Sequence, residues 1–280
     1  MSALSAAADL LLLILVALIP ALAYLAWVRK SERRQTEGWG TLLGGFAYGA
    51  IFATIVAAVL ELIVVALGTS VSQRYPGPEF VFLNGNSTAG AFFLVLVVAP
   101  FIEEALKASG VAARKANISR LADGPVLGAS VGLGFGFFET FLYGLGAFLI
   151  GGIVAGIALI LVRSVSSVLL HGSSTGMFGY GYARSKFRVA GAGSGGYYLL
   201  AVLMHASFNA LASVSVILAL VGITGVAAAV GAYVGLFAAI GFAIGAIEHV
   251  RSVTQAADYP ALLPRAPPTM APGRPPAQGR

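Results

Sequence analysis

Seven predominantly apolar runs, each long enough to cross a lipid bilayer as a helix, leave this chain little choice of fold. A backbone in hydrocarbon must satisfy its own hydrogen bonds, and a helix does so within a single segment. The runs cover about residues 6–28, 39–67, 89–116, 125–150, 153–182, 197–221 and 224–249. Only 10% of residues are charged, against about 25% in a soluble domain. The expected fold is therefore an all-α polytopic membrane protein of about seven transmembrane helices. One membrane domain occupies residues 1–250, and a Pro-rich tail, 251–280, is expected to be disordered.

The connectors sharpen this reading. Of 17 Lys and Arg residues, 14 fall in the segments near 29–38, 114–123 and 183–196 and in the tail. Alternating spans place all of these on one side, and the opposite side carries only Arg74. Basic loops mark the cytosolic face, so the N-terminus is expected outside and the C-terminus in the cytosol of a prokaryotic plasma membrane. The net charge of +6 is thus a topology signal, and no nucleic acid partner is expected. The first run lacks a basic leader and is too long for a signal peptide, so it reads as an uncleaved span. The absence of cysteine excludes disulfides, thiolate catalysis and Cys-ligated zinc. Tyr75-Pro76-Gly77-Pro78 and Asn84-Gly85-Asn86 mark a loop, and Gly151-Gly152 marks a tight turn.

Few ionisable groups remain within the spans, and such groups are costly enough in lipid to be functional candidates. Glu103, Glu104 and Lys107 lie on the third helix, Glu139 on the fourth, Arg163 and His171 on the fifth, and His205 on the sixth. The third run passes through Pro100, which frees a carbonyl and bends the helix. Continued past Lys107, it sets Glu103 at a depth shared with Glu139, His171 and His205, roughly 12–22 Å from the basic side. Lys107 is three residues from Glu104 and four from Glu103, so it can pair with one carboxylate and leave the other as a general base. His205 and Asn209 share a face at i and i+4. Plainer readings stand beside these. The histidines serve as helix–helix hydrogen-bond groups, Glu139 neutralises Arg163, and Glu61 is a rim or snorkelling residue. A proton-coupled transporter also uses intramembrane Glu and His, but the halves show no internal repeat. A third alternative is an inactive scaffold.

Taken in order, Glu103-Glu104-Ala105-Leu106-Lys107 matches the E-E-x-x-K motif of the PrsW family of intramembrane proteases. Gly134-Phe135-Gly136-Phe137-Phe138-Glu139 resembles its second motif, and His171 and His205-Ala206-Ser207-Phe208-Asn209 resemble the third and fourth. The family is related to the CAAX-processing (CPBP) membrane proteases. Thr140 stands where family members often carry Asn, and His171 is followed by Gly172, which loosens the match there. The resemblance implies a protease core at about 89–221, in helices 3–6. It implies hydrolysis of peptide bonds in single-span membrane proteins of the anti-sigma-factor kind, cut as a site-1 protease would. In that reading Glu103 is the general base on water, aided by His171. His205 and Asn209 donate to the oxyanion, Glu104 and supporting Lys107 orient the pair, and Glu139 is a further polar or ligand group. His171, His205 and Glu139 are candidate zinc ligands, although no H-E-x-x-H signature is present and a metal-free glutamate mechanism is equally consistent.

Overall fold

The computed structural model describes residues 3–259, and these form helices with no strand among them. In chain order they are α1 (Ala3–Arg29), α2 (Trp39–Ala47), α3 (Thr54–Arg74), α4 (Thr88–Phe93), α5 (Ala99–Ala113), α6 (Asp123–Ser164), α7 (Ser167–Lys186), α8 (Ser194–Ala212), α9 (Val214–Leu220) and α10 (Gly225–Ala257). A wide π-type stretch, Tyr48–Ala53, joins α2 to α3, and another, Leu94–Val98, joins α4 to α5. Five helical stretches are long and apolar enough to cross a membrane, or six when the bent pair α8–α9 counts as one.

One of those stretches, Asp123–Lys186, is 64 residues long. As a straight rod it would reach about 96 Å, three times the hydrocarbon thickness. It folds back at Gly152, whose φ of 77° belongs to the left-handed region that glycine tolerates. The reversal is antiparallel: Gly128 lies against Thr175, Gly132 against His171 and Gly136 against Val168. Counting its two arms separately recovers the seven runs of the sequence.

The first half of the first arm of α6, residues 123–136, and nearly all of α7 are buried, ringed by α1, α2, α5, α8 and α10. This burial explains why α7 can carry Ser173, Ser174 and Thr175 at 0% exposure. Within the bundle Ser173 donates to the Leu170 carbonyl and Ser174 to Glu104 Oε1. Gly132 has the His171 carbonyl where a Cβ would sit, so its missing side chain lets α6 press onto α7 at the histidine itself.

The basic loops meet on one face. Arg114 donates to Gly44 O at 2.6 Å, and Lys186 donates to the carbonyls of Lys115 and Ile118, each at 2.6 Å. Arg120 pairs with Glu32 (3.1 Å), Asp123 (2.5 Å) and Asp258 (2.9 Å). Asp258 in turn accepts the backbone N–H groups of Arg33 and Arg34. This clamp holds the end of α10, which continues to Ala257. The expected tail boundary at 250 is therefore corrected: residues 251–257 are helical, because Thr254, Ala257 and Asp258 have buried partners to hold them. The remainder of the expected tail, 260–280, lies outside the described residues.

Candidate active site

Helix α5 begins at a defect. The Ala99 N–H bonds the Leu94 carbonyl in the wide register, and the next nitrogen in that register belongs to Pro100, which has no hydrogen. Asn209 of α8 supplies the missing donor: its Nδ2 reaches the Val95 carbonyl at 2.8 Å. The bulge therefore ties α5 to α8 and sets the rotation of the turn that follows. That turn carries Glu103, Glu104 and Lys107, all buried.

Lys107, at 0% exposure, is the hub. Its Nζ lies 2.7 Å from Glu104 Oε1, 3.5 Å from Glu103 Oε2 and 2.9 Å from His171 Nδ1, and 4.4 Å above the Phe135 ring. An ammonium buried this deeply costs several kcal/mol unless paired, and two carboxylates offset that cost. The Gly134-Phe135-Gly136 motif is the packing floor of the site. Gly134 admits the Phe46 backbone, Gly136 admits α7, and Phe135 packs against the His171 ring at 5.0 Å.

The hydrogen bonds assign the imidazole tautomers. His171 Nε2 donates to Glu139 Oε2 at 2.9 Å, leaving Nδ1 to accept from Lys107. His205 Nδ1 donates to Glu104 Oε1 at 3.1 Å, leaving Nε2 with a lone pair. Ser174 Oγ also donates to Glu104 Oε1. Arg163 holds Glu139 Oε2 at 2.6 Å and Ser167 at 2.9 Å. Glu139 thus neutralises Arg163 and orients His171 together. The two imidazoles stand edge to face, 4.9 Å apart. Beside them Glu103 Oε2 is buried with no hydrogen-bond partner, 3.9 Å from Nδ1 of each histidine.

Glu103, His171 and His205 each offer one donor atom within 4.8 Å of the other two. The grouping has Glu103 where the sequence reading placed Glu139, and Glu139 instead lies 2.9 Å from His171 Nε2. The chemistry fits a metal: two imidazoles, each held by a carboxylate, His171 through Nε2 and His205 through Nδ1, and one carboxylate oxygen with no hydrogen-bond partner.

A cavity of about 260 Å³ reaches this cluster. Glu103, Glu139, His171, His205 and Asn209 line it, and Glu104 and Lys107 do not. Glu61, Tyr143 and Arg163 line it too. Of these, Glu61 was read as a rim residue from sequence, and Tyr143 gave no signal beyond its aromatic character. Ser174, three residues from His171, was legible only as a polar residue on the same helix.

No curated protein and no solved structure matches the chain. Residues 37–240, most of the chain and all of the cavity lining, match the family described as PrsW family intramembrane metalloprotease. With a buried Glu–His–His cluster opening on a polar cavity among membrane-length helices, the chain belongs to the PrsW family of intramembrane metalloproteases, hydrolases that cut peptide bonds within the bilayer.

Proposed function

We propose that this protease cuts single-span membrane proteins, of the anti-sigma-factor kind, by a glutamate-activated water at Glu103. The observation that carries the reading is the Glu103 carboxylate oxygen, buried beside both imidazoles with no hydrogen-bond partner. A buried acceptor left open is costly, and a water in the cavity satisfies it. Glu103 Oε2 holds the attacking water and draws off its proton, and the Lys107 ammonium at 3.5 Å stabilises the carboxylate while it waits. A divalent metal held by Glu103, His171 and His205 would supply Lewis-acid activation of a water, and Glu103 would then act as a ligand in place of the base. Glu104 and Glu139 keep the two rings in register. Asn209 spends one amide hydrogen on Val95, so its contribution to an oxyanion falls to the other. His205 donates through Nδ1 to Glu104, and the oxyanion role expected for it gives way to ligation through the free ring nitrogen.

The basic loops gathered on one face support a cytosolic assignment for that face, in a prokaryotic plasma membrane with the N-terminus outside. The protease unit in this reading is one helical domain, with residues 89–221 as its core.

The test is cleavage of candidate single-span substrates by the full chain in liposomes, with Glu103→Ala and His205→Ala alongside. Cleavage that disappears in both variants and falls on chelation, returning with zinc, is the expected result. Cleavage unchanged in both variants removes Glu103 and His205 from the site. Full activity in protein stripped of metal leaves the glutamate acting alone.

A further inference from the structure

The acidic groups around the cavity differ in whether they have a cation. Glu103 and Glu104 share Lys107, and Glu139 has Arg163. Glu61 lines the same cavity, its Oε1 is buried, and no hydrogen-bond or salt-bridge partner meets it among the described residues. Among the described residues, no cation within the spans meets Glu61. Lys107 and Arg163 are the only Lys or Arg residues within the seven runs, and both are committed. A carboxylate in this setting gains most from a partner brought by something else.

Its depth says where that partner stands. The contact between Arg114 and Gly44 O levels α5 with α2. From that level Glu61 is about seventeen residues along its helix and Glu103 about eleven, a difference of roughly 9 Å at 1.5 Å per residue. Glu61 therefore lies beyond Glu103, toward the face opposite the basic loops. An extended peptide covers 9 Å in about three residues.

We infer that Glu61 is a specificity determinant that receives a Lys or Arg side chain of the substrate, about three residues from the scissile bond on the side away from the basic loops. The inference rests on the proteolytic reading of the cavity and adds the chemistry of the residue it selects. A cation there turns an uncompensated acid into an ion pair shielded from water, which rewards the right substrate and penalises a neutral one.

The test uses three synthetic transmembrane peptides, Leu/Ala-rich with a central Gly-Pro break. One carries Lys three residues from the break on one side, one carries it on the other side, and one carries Met. Dissociation constants are measured by fluorescence for the full chain in nanodiscs, wild type and Glu61→Gln, while mass spectrometry follows cleavage. Gln mimics the neutral acid and keeps its shape. Wild type is expected to bind one of the two Lys peptides about tenfold more tightly than the Met peptide, and Glu61→Gln is expected to lose that ratio. Equal binding of all three peptides, a ratio that survives in Glu61→Gln, or no binding at all overturns the inference. Selective binding without cleavage of any peptide leaves the Glu61 pairing in place and overturns the proteolytic reading instead.

Discussion

Two buried charge clusters hold this molecule together, and they are built to opposite rules. On the basic face, Arg120 joins Glu32, Asp123 and Asp258, and each carboxylate also accepts backbone N–H groups. Glu32 takes the N–H of Glu37, Asp123 those of Ser119 and Arg120, and Asp258 those of Arg33 and Arg34. In the membrane, Glu103, Glu104 and Glu61 each keep a buried oxygen with no hydrogen-bond partner. The first cluster closes loops and helix ends and leaves its acids no further work. The second leaves Glu103 and Glu61 open at the edge of a cavity. Stability selects satisfied groups, whereas chemistry on a substrate needs unsatisfied ones.

The largest effect that bears on this contrast is expected at Glu103. Glu103→Gln keeps the volume and removes the acceptor charge, and should lower the cleavage rate by about a thousandfold or more. Thermal unfolding in detergent should change little, since Glu103 has few bonds to lose. A stability loss as large as the activity loss would erase the distinction between the clusters.

Next in size is Arg120→Met, which should do the reverse. Three acids lose their shared cation, and breaking a buried pair costs about 3–5 kcal/mol, reduced here because Arg120 is 27% exposed. Expected is a melting temperature lower by several degrees, with cleavage per folded molecule unchanged. Differential scanning fluorimetry and a rate normalised to folded protein measure the two parts.

Arg163→Met is intermediate in kind. Arg163 touches neither Glu103 nor His205, but it holds Glu139, which holds His171. In the proposed metal site, a group that directly holds a ligand is worth about 10- to 100-fold in metal affinity or activity, and Arg163, acting through Glu139, belongs at the low end of that range. The loss should appear as weaker zinc binding by competition titration, which a purely structural role for Arg163 would leave unmoved.

The contrast also explains what the sequence could and could not disclose. The spans, the Gly151-Gly152 turn and the charged residues that the fold gathers at the cavity were legible, because a charge inside an apolar run stands out against its neighbours. The roles were harder. Whether Glu103 or Glu139 joins the histidines depends on how two helices rotate about their axes, and periodicity along one helix does not carry that angle. Asn209 pairs with a backbone carbonyl exposed by Pro100, so the proline was visible and its partner was not. Glu61 looked like a rim residue because its apolar run ends near residue 67, yet the helix continues to Arg74. Residues 251–257 looked like the start of a tail, since their anchors, Arg120, Arg33 and Arg34, lie far away in sequence.

The smallest effect concerns pH and isolates one member of the satisfied cluster. Burial pushes the Glu32 carboxyl up to about 8, and nearby Asp123 adds to this. The backbone N–H of Glu37 and the Arg120 guanidinium act the other way, favouring the ionised form. The folded chain therefore holds a proton that the unfolded chain releases above its ordinary value of 4.5. That contribution to stability is complete below about pH 4.5 and declines as the pH rises toward 8. Wild-type melting temperature should fall by roughly 2–4 °C over this window. Glu32→Gln carries no titrating proton and should flatten the slope, with a melting temperature closer to the acid-side value of the wild type. An identical slope in Glu32→Gln would mean that Arg120 already keeps Glu32 ionised, and that the loop-closing cluster gains its stability from charge pairing at every pH in the window.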